Sequence, residues 1–298
     1  MIRYIYSALY SLLKNTHHIN PLIPKKAFGN KIEYGFISSD HLQNSKLDDQ
    51  LDQDLIKAGI EVKPYAIDTI AFENFLSQNL YPKDYYAERS DQRSNFKEKA
   101  LEHYVTLQLI QPKANHVHID IAAATSPFSD LLKYVIKDTT VYKQDLIYKP
   151  GVNGNRIGGY AHEIPFDDNS VDSVTLHCSL EHFENSSDIE LFRTLNRILK
   201  PGGLCIIAPF YIASKYCIHL DPVFNLIKQH HPVLDTNAEI RYCFWKQYHS
   251  RHYDVAAIRK RILQGNENLS LQVLRITNFK DAFEQSYLRY IGILSKQI

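Results

Sequence analysis

The 298-residue chain is short of glycine, cysteine and net charge, and it has no long apolar run. It holds 11 glycines against 20 tyrosines. Few positions therefore have glycine's freedom to take positive φ, and few strained turns are expected. The four cysteines, Cys178, Cys205, Cys217 and Cys243, form no Cys-x-x-Cys pair. That excludes a dense disulfide framework and points to unpaired thiols in a reducing compartment. Lys plus Arg number 34 and Asp plus Glu 33, a net charge of +1. Such a balance gives no global field to collect nucleic acid or an anionic membrane, so no nucleic-acid partner is expected. No run reaches the roughly 20 apolar residues of a membrane-spanning helix. Residues 1–14 are apolar, but Tyr and Ser interrupt them too often for a signal peptide. They read as a docked helix or as an interfacial helix making weak peripheral membrane contact. A cytoplasmic monomer or homodimer is expected. Asp48, Asp49, Asp52 and Asp54 lack the order of a calcium loop, and no His/Cys spacing suits zinc. No metal is expected, and no repeat or low-complexity tract is present.

What the chain does have is ordinary globular material, 44% hydrophobic and 22% charged, enough for a real core. At about 150 residues per domain, its length suits two domains, or one large α/β domain with additions. Residues 1–110 read as a mostly helical extension, with apolar residues at helical spacing from Asp68 to Leu80 and from Asn95 to Leu109. Residues 40–58 read as a solvated stretch or mobile loop. From 111 to 298 strand and helix periods alternate. Strands are expected at 116–120, 139–142, 157–161, 173–177, 204–208, 271–276 and 287–294, and a turn-rich segment at 149–154. Helices are expected at 129–136, at 188–199 with Ser187 and Glu190 as a capping box, and at 254–263. This rhythm means a doubly wound, mostly parallel sheet. Residues 210–250 break it and read as a partly helical lid insertion leaving a central strand's carboxyl end, where such folds bind ligands.

The side chains to watch lie just past the strands. Asp120 ends the first strong strand and Asp145 follows the second, 25 residues on. An acid near the second position accepts hydrogen bonds from ribose hydroxyls in nucleoside sites. The most specific stretch runs through Pro165, Phe166, Asp168, Ser170 and Asp172, then Leu180-Glu181-His182, then Arg197, Leu199 and Lys200-Pro201-Gly202-Gly203. These residues resemble the small-molecule branch of the class I methyltransferases that use S-adenosylmethionine. The resemblance covers about 115–294. It implies a Rossmann-like methyltransferase fold of seven strands, the last antiparallel, with S-adenosylmethionine as cofactor.

The departure is at the glycines. Where the family has Asp-x-Gly-x-Gly-x-Gly, this chain reads Asp120-Ile-Ala-Ala-Ala-Thr-Ser126, with Ala122, Ala124 and Ser126 at the glycine positions. Tyr160 stands where the family often has an Asp near the adenine amine. The resemblance implies a cofactor site of Asp120, Ala122, Ala124, Asp145, Tyr160, Ala161 and His177. Tyr160 would stack on the base and the Ala161 backbone would hydrogen-bond it. Methyl transfer to a hydroxyl or protonated amine also needs a base, and His177, His182 and His249 are the candidates. Tyr86, Arg251 and His252 are candidates for the acceptor, a small or medium organic molecule. The alternative is a noncatalytic module with a degenerate pocket. A dinucleotide-linked hydride transferase is disfavoured because no G-x-G-x-x-G is present.

Overall fold

The structure is a computed structural model that describes residues 45–83, 85, 96–110, 115–243 and 246–298. The expected helix at 1–14 and the candidate Tyr86 lie outside the described residues. No helix among the described residues is long and apolar enough to cross a membrane. The chain divides into two compact units. The larger comprises Leu55–Leu180, Ser187–Phe210 and Arg261–Ile298. The smaller comprises Glu181–Ser186, Tyr211–Lys260 and the described residues up to Asp54.

The larger unit is built on one sheet. Its strands are β1 (Glu61–Tyr65), β2 (His116–Ile121), β3 (Thr139–Asn153), β4 (Arg156–Gly158), β5 (Val171–His177) and β6 (Leu199–Ala208). The smaller unit holds β7 (Cys217–Leu220), β8 (Glu239–Tyr242) and β9 (His249–His252), and the main sheet finishes with β10 (Leu269–Ile276) and β11 (Tyr290–Lys296). The order across the main sheet is β1-β10-β11-β6-β5-β2-β3-β4. β11 is antiparallel to both neighbours and every other pairing is parallel. This is the doubly wound, Rossmann-like sheet the periodicity predicts, with eight strands in place of seven. The extra strand is β1, which lies in the segment read as helical. Its burial does not alternate, so no period-2 pattern announced it, and Pro64 suits only an edge strand.

Helices complete the crossovers. The first three are α1 (Ser45–Lys57), α2 (Thr69–Ser77) and α3 (Phe96–Leu109). α1 replaces the solvated loop expected there, because Leu51 and Leu55 form a buried stripe one turn apart. Asp68 caps α2 by accepting the Ala71 N–H at 2.9 Å. α4 (Phe128–Val135) links β2 to β3, and α5 (Ser187–Ile198) links β5 to β6. α5 buries Leu191, Phe192, Leu195 and Ile198, each side chain stabilising by about 1.5–3 kcal/mol. A cluster of Phe72, Phe75, Leu101, Tyr104, Val105, Phe128, Leu132, Ile206 and Ile291 joins α2, α3 and α4 to the sheet. β3 runs on through the stretch expected to turn at 149–154, and its far end folds along β4 with register shifts.

In the smaller unit β8-β7-β9 form a three-stranded sheet. With it go α6 (Pro222–Lys228), capped by Asp221, and α7 (Val255–Ile258), capped by Asp254. The insertion is therefore more strand than helix. The Asp254–Leu263 helix expected after it is one α turn followed by a π turn at Arg259–Leu263.

Candidate active site

The carboxyl end of β2 carries the loop that departs from the glycine pattern. Ala122 has φ +52° and Ala124 φ +41°. Both alanines hold the left-handed backbone that glycine takes freely and that costs an L-residue about 1–2 kcal/mol. The sequence lost the glycines while the backbone kept their shape. β3 imposes it. The Ala122 N–H donates to Gln144 Oε1 at 3.2 Å, Ala123 N–H to the Gln144 carbonyl at 2.9 Å, and Ala124 N–H to Asp145 Oδ2 at 2.8 Å. Three successive amides are thus pinned to two residues of one strand. The Tyr148 hydroxyl donates to the Ala124 carbonyl, and Arg156 lies over the Tyr148 ring at 5.4 Å. Burial first, then the Asp145 carboxylate, raise the Tyr148 pKa and keep it the donor.

Asp120 is buried. It accepts the Thr175 hydroxyl at 2.9 Å and the Ser129 hydroxyl at 3.4 Å, with His177 Nδ1 3.6 Å away. It joins β2, β5 and α4 beneath the loop. His177 ends β5, with Nε2 3.1 Å from the Thr106 hydroxyl of α3 and its ring 4.4 Å from Phe128. Asp145 is half-buried, and its second oxygen accepts the Ile147 N–H at 3.1 Å. Tyr160 is exposed and stacks on His162 at 5.3 Å, while Ala161 is buried and opens a 3-10 turn, Ala161–Glu163. The larger unit therefore brings Asp120, Ala122, Ala124, Asp145 and His177 to one edge.

The motif that carries the family resemblance is itself structural. Arg197 donates to the carbonyls of Phe166 and Ile164 and to Asp168. Asp172 accepts the Val117 N–H at 2.9 Å and Lys200 Nζ at 2.6 Å. Burial pushes the Asp172 carboxyl up, but these donors outweigh it and hold the pKa below its usual value.

The other candidates belong to the smaller unit. His182 closes a 3-10 turn, Leu180–His182, with Nδ1 donating to the His249 carbonyl at 2.5 Å and Nε2 3.6 Å from Glu181. His249 is buried, and desolvation, helped by His182 and Arg251, lowers its pKa to about 3. Arg251 is fully buried and donates to the Asn185 carbonyl at 2.9 Å. His252 is buried between the rings of His219 and Tyr211, at 4.5 and 4.9 Å.

Two features escaped the sequence reading. A polar ladder runs along β2 and β5. His116 Nε2 and His118 Nδ1 each lie 2.7 Å from the Ser173 hydroxyl, and His118 Nε2 lies 3.1 Å from Thr175, which donates to Asp120. Burial lowers the His118 pKa to about 3. Polar residues at every second position, His-x-His-x-Asp and Ser-x-Thr-x-His, were the available signal. The second feature is the polar face of α3, where Glu98, Lys99, Glu102, His103 and Thr106 are all buried.

Residues 144–207 match the family model described as a methyltransferase domain. That stretch is about a fifth of the 298-residue chain. No curated protein matches it. Among solved structures it is similar to the 1,6-didemethyltoxoflavin-N1-methyltransferase of Burkholderia thailandensis, with 12% identity over 80% of this chain and 94% of that one and a TM-score of 0.46. It is similar too to phosphoethanolamine N-methyltransferase 2 of Haemonchus contortus, with 14% identity over 76% and 60% and a TM-score of 0.46.

The residues present fit the cofactor. The left-handed backbone at Ala122 and Ala124 keeps the loop close to the sheet, and no side chain from 122 to 126 is larger than Thr125. Each Asp145 oxygen uses one of its two lone pairs, which leaves capacity for ribose hydroxyls.

Proposed function

We propose that this chain transfers a methyl group from S-adenosylmethionine to a small or medium organic acceptor. The observation that supports it is the pair of alanines held at positive φ beside Asp145. A loop that had lost its function would be free to relax into a cheaper backbone. When bound, the cofactor supplies an electrophilic methyl group on a cationic sulfur. The chain's own residues do the rest. Asp145 would accept the ribose hydroxyls and the exposed Tyr160 ring would cover the base, with the buried Asp120 and His177 supporting the loop.

Of the histidines in the smaller unit, His182 is the better base. Its Nδ1–H is committed to a carbonyl, so Nε2 carries the lone pair. His249 stays neutral and buried, and positions the turn through its carbonyl. Arg251 and His252 are buried in the smaller unit, which argues against the acceptor role expected of them. The balanced charge favours a small acceptor over nucleic acid.

A noncatalytic binding module is the second reading. The Ala124–Asp145 bond favours it, since that bond engages the amide and the carboxylate that would face a ligand. Calorimetric titration of the folded chain with S-adenosylmethionine and S-adenosylhomocysteine separates the two. Binding is expected, and Asp145→Ala should weaken it about tenfold or more through lost charge-assisted hydrogen bonds. A folded chain that binds neither ligand at millimolar concentration sinks the enzyme reading.

A further inference from the structure

The buried polar face of α3 meets the end of β5 in the larger unit. Cys178 follows the last residue of β5 with φ +43°, a left-handed backbone disfavoured for a side chain such as this. Its N–H donates to the Ala208 carbonyl at the end of β6 at 3.0 Å. The thiol donates to Glu102 Oε1 at 3.3 Å, and Sγ lies 3.7 Å from the Tyr287 hydroxyl. Lys99 Nζ donates to both Glu102 oxygens at 3.0 Å. Burial works against the Lys99 ammonium, but Cys178, Glu102 and Tyr287 outweigh it and raise its pKa well above the usual range. Behind the pair, Glu98 accepts the Tyr287 N–H at 3.2 Å, and its Oε2 is buried without a hydrogen-bond partner among the described residues. Cys178 and Tyr287 keep some exposure, while Glu98 and Glu102 have none. The cluster sets a partly exposed thiol and phenol beside two buried carboxyl groups.

Such a set has no packing rationale. Four ionisable groups beside one thiol are costly to bury, and apolar residues of the same volume would hold α3 on the sheet more cheaply. Cys178 directly follows His177 at the carboxyl end of β5, the edge where an open α/β fold receives its ligands. We propose that Cys178, Glu102, Lys99 and Tyr287 form an acceptor site for a protic nucleophile, a hydroxyl or an ammonium group, whose proton passes through the Cys178 thiol to Glu102.

The proton balance is direct. The acceptor's O–H or N–H bond breaks and a new S–H bond forms at Cys178, while the proton Cys178 held passes to Glu102 Oε1. The thiol is regenerated, the carboxylate gains one proton, and the electron pair stays on the acceptor atom. Lys99 remains protonated and holds Glu102 in place. The Tyr287 hydroxyl, 3.7 Å from Sγ, flanks the acceptor.

This inference rests on the methyl-transfer reading above, and its test reads separately. Iodoacetamide alkylation of the full chain at fixed pH, followed by peptide mass spectrometry, gives the rate at Cys178. Buried Cys205, Cys217 and Cys243 serve as internal controls. Glu102→Gln should speed Cys178 alkylation about tenfold, because it removes the negative charge that opposes the thiolate and leaves the Lys99 ammonium beside it. Should that variant not fold, Glu102→Asp withdraws the carboxylate by one methylene and should speed it to a lesser degree. A Cys178 rate unchanged by either variant overturns the relay, whatever the acceptor. Catechol, ethanolamine and acetylacetone then serve as hydroxyl, amine and carbon probes for methyl transfer. Transfer to either of the first two, slowed about 100-fold in kcat by Glu102→Gln with KM little changed, supports the site. Transfer to acetylacetone alone, or transfer the variant leaves intact, overturns it. If S-adenosylhomocysteine fails to bind by calorimetry, the cofactor reading falls while the thiol–carboxylate coupling is still decided by alkylation.

Discussion

Ala124→Gly should make this protein more stable, against the usual effect of glycine. Ala124 sits at φ +41°, and its methyl group is exposed. The left-handed backbone costs an L-residue about 1–2 kcal/mol. Glycine removes that penalty but gives the unfolded chain about 0.4–1 kcal/mol of extra freedom. The difference leaves about 0.5–1 kcal/mol of stabilisation, since an exposed methyl forfeits almost no packing. Ala122→Gly should gain less, because Ala122 at φ +52° is half-buried and loses some apolar contact. Ala123 lies between them without positive φ and is buried, so Ala123→Gly should cost about 0.5–1 kcal/mol or more. Urea midpoints of the three variants, read by far-UV dichroism, should fall in the order Ala124→Gly, Ala122→Gly, wild type, Ala123→Gly. A gain of this size raises Tm by about 1–3 °C in a chain of this length. Cofactor affinity should stay within about threefold, because the loop already has the required backbone. If Ala124→Gly lowers the midpoint as Ala123→Gly does, strain is not stored at this loop and the support it lends to cofactor binding disappears.

Stability should peak near pH 6.5. His118 and His249 have folded pKa values of about 3, far below the 6.5 of an unfolded histidine. Below pH 6.5 the unfolded chain binds protons the folded chain refuses, so stability falls with pH by about 1.4 kcal/mol per unit for each. Burial raises Glu98 from 4.5 to about 8, so between those values the folded chain holds the extra proton and stability falls as pH rises. The three combine to a loss on both sides of pH 6.5, and urea midpoints at pH 5, 6.5 and 8 test it; His249→Gln should flatten the acid limb. Asp188→Ala should cost about 3–5 kcal/mol, because it strands Arg261, whose guanidinium donates to both Asp188 oxygens at 2.8 and 2.6 Å inside the larger unit. A loss below about 1 kcal/mol by urea unfolding would mean that water reaches the pair.

The crossover units were legible because their signals are local. α5 follows from its Ser187/Glu190 capping box and the helical spacing of Ile189, Phe192, Leu195 and Leu199, and β5 from the alternation of Val174 and Leu176 with Ser173, Thr175 and His177. β1 was not, because its partner β10 lies some 200 residues away and an edge strand needs no alternation. Nor was the sheet of the smaller unit, whose four-residue strands carry too few side chains for a period. Along β2 and β5 the polar residues were visible, but which of them met depended on the parallel register that sets His118 beside Ser173. The same limit hid the cluster at Cys178. Nothing in the spacing singled out Glu102 and Lys99, and only the burial of all of α3 from Glu98 to Leu107 places them inside.

The glycine positions show how far a motif and its physics can part. A glycine-rich loop is usually read as a demand for residues that tolerate positive φ. Here the demand is met without them, because three consecutive amides are held by Gln144 and Asp145 on the neighbouring strand. Those bonds lie within the chain itself, so their free energy offsets the alanine strain. The cost moves elsewhere. In the proposed function Asp145 would hold the loop with one oxygen and still face ribose, so one side chain would couple loop geometry to cofactor affinity. Asp145→Asn, which keeps an acceptor for Ala124 but halves the acceptor capacity, should therefore weaken cofactor binding more than it weakens the fold. In a loop shaped by glycine itself the two effects would be independent.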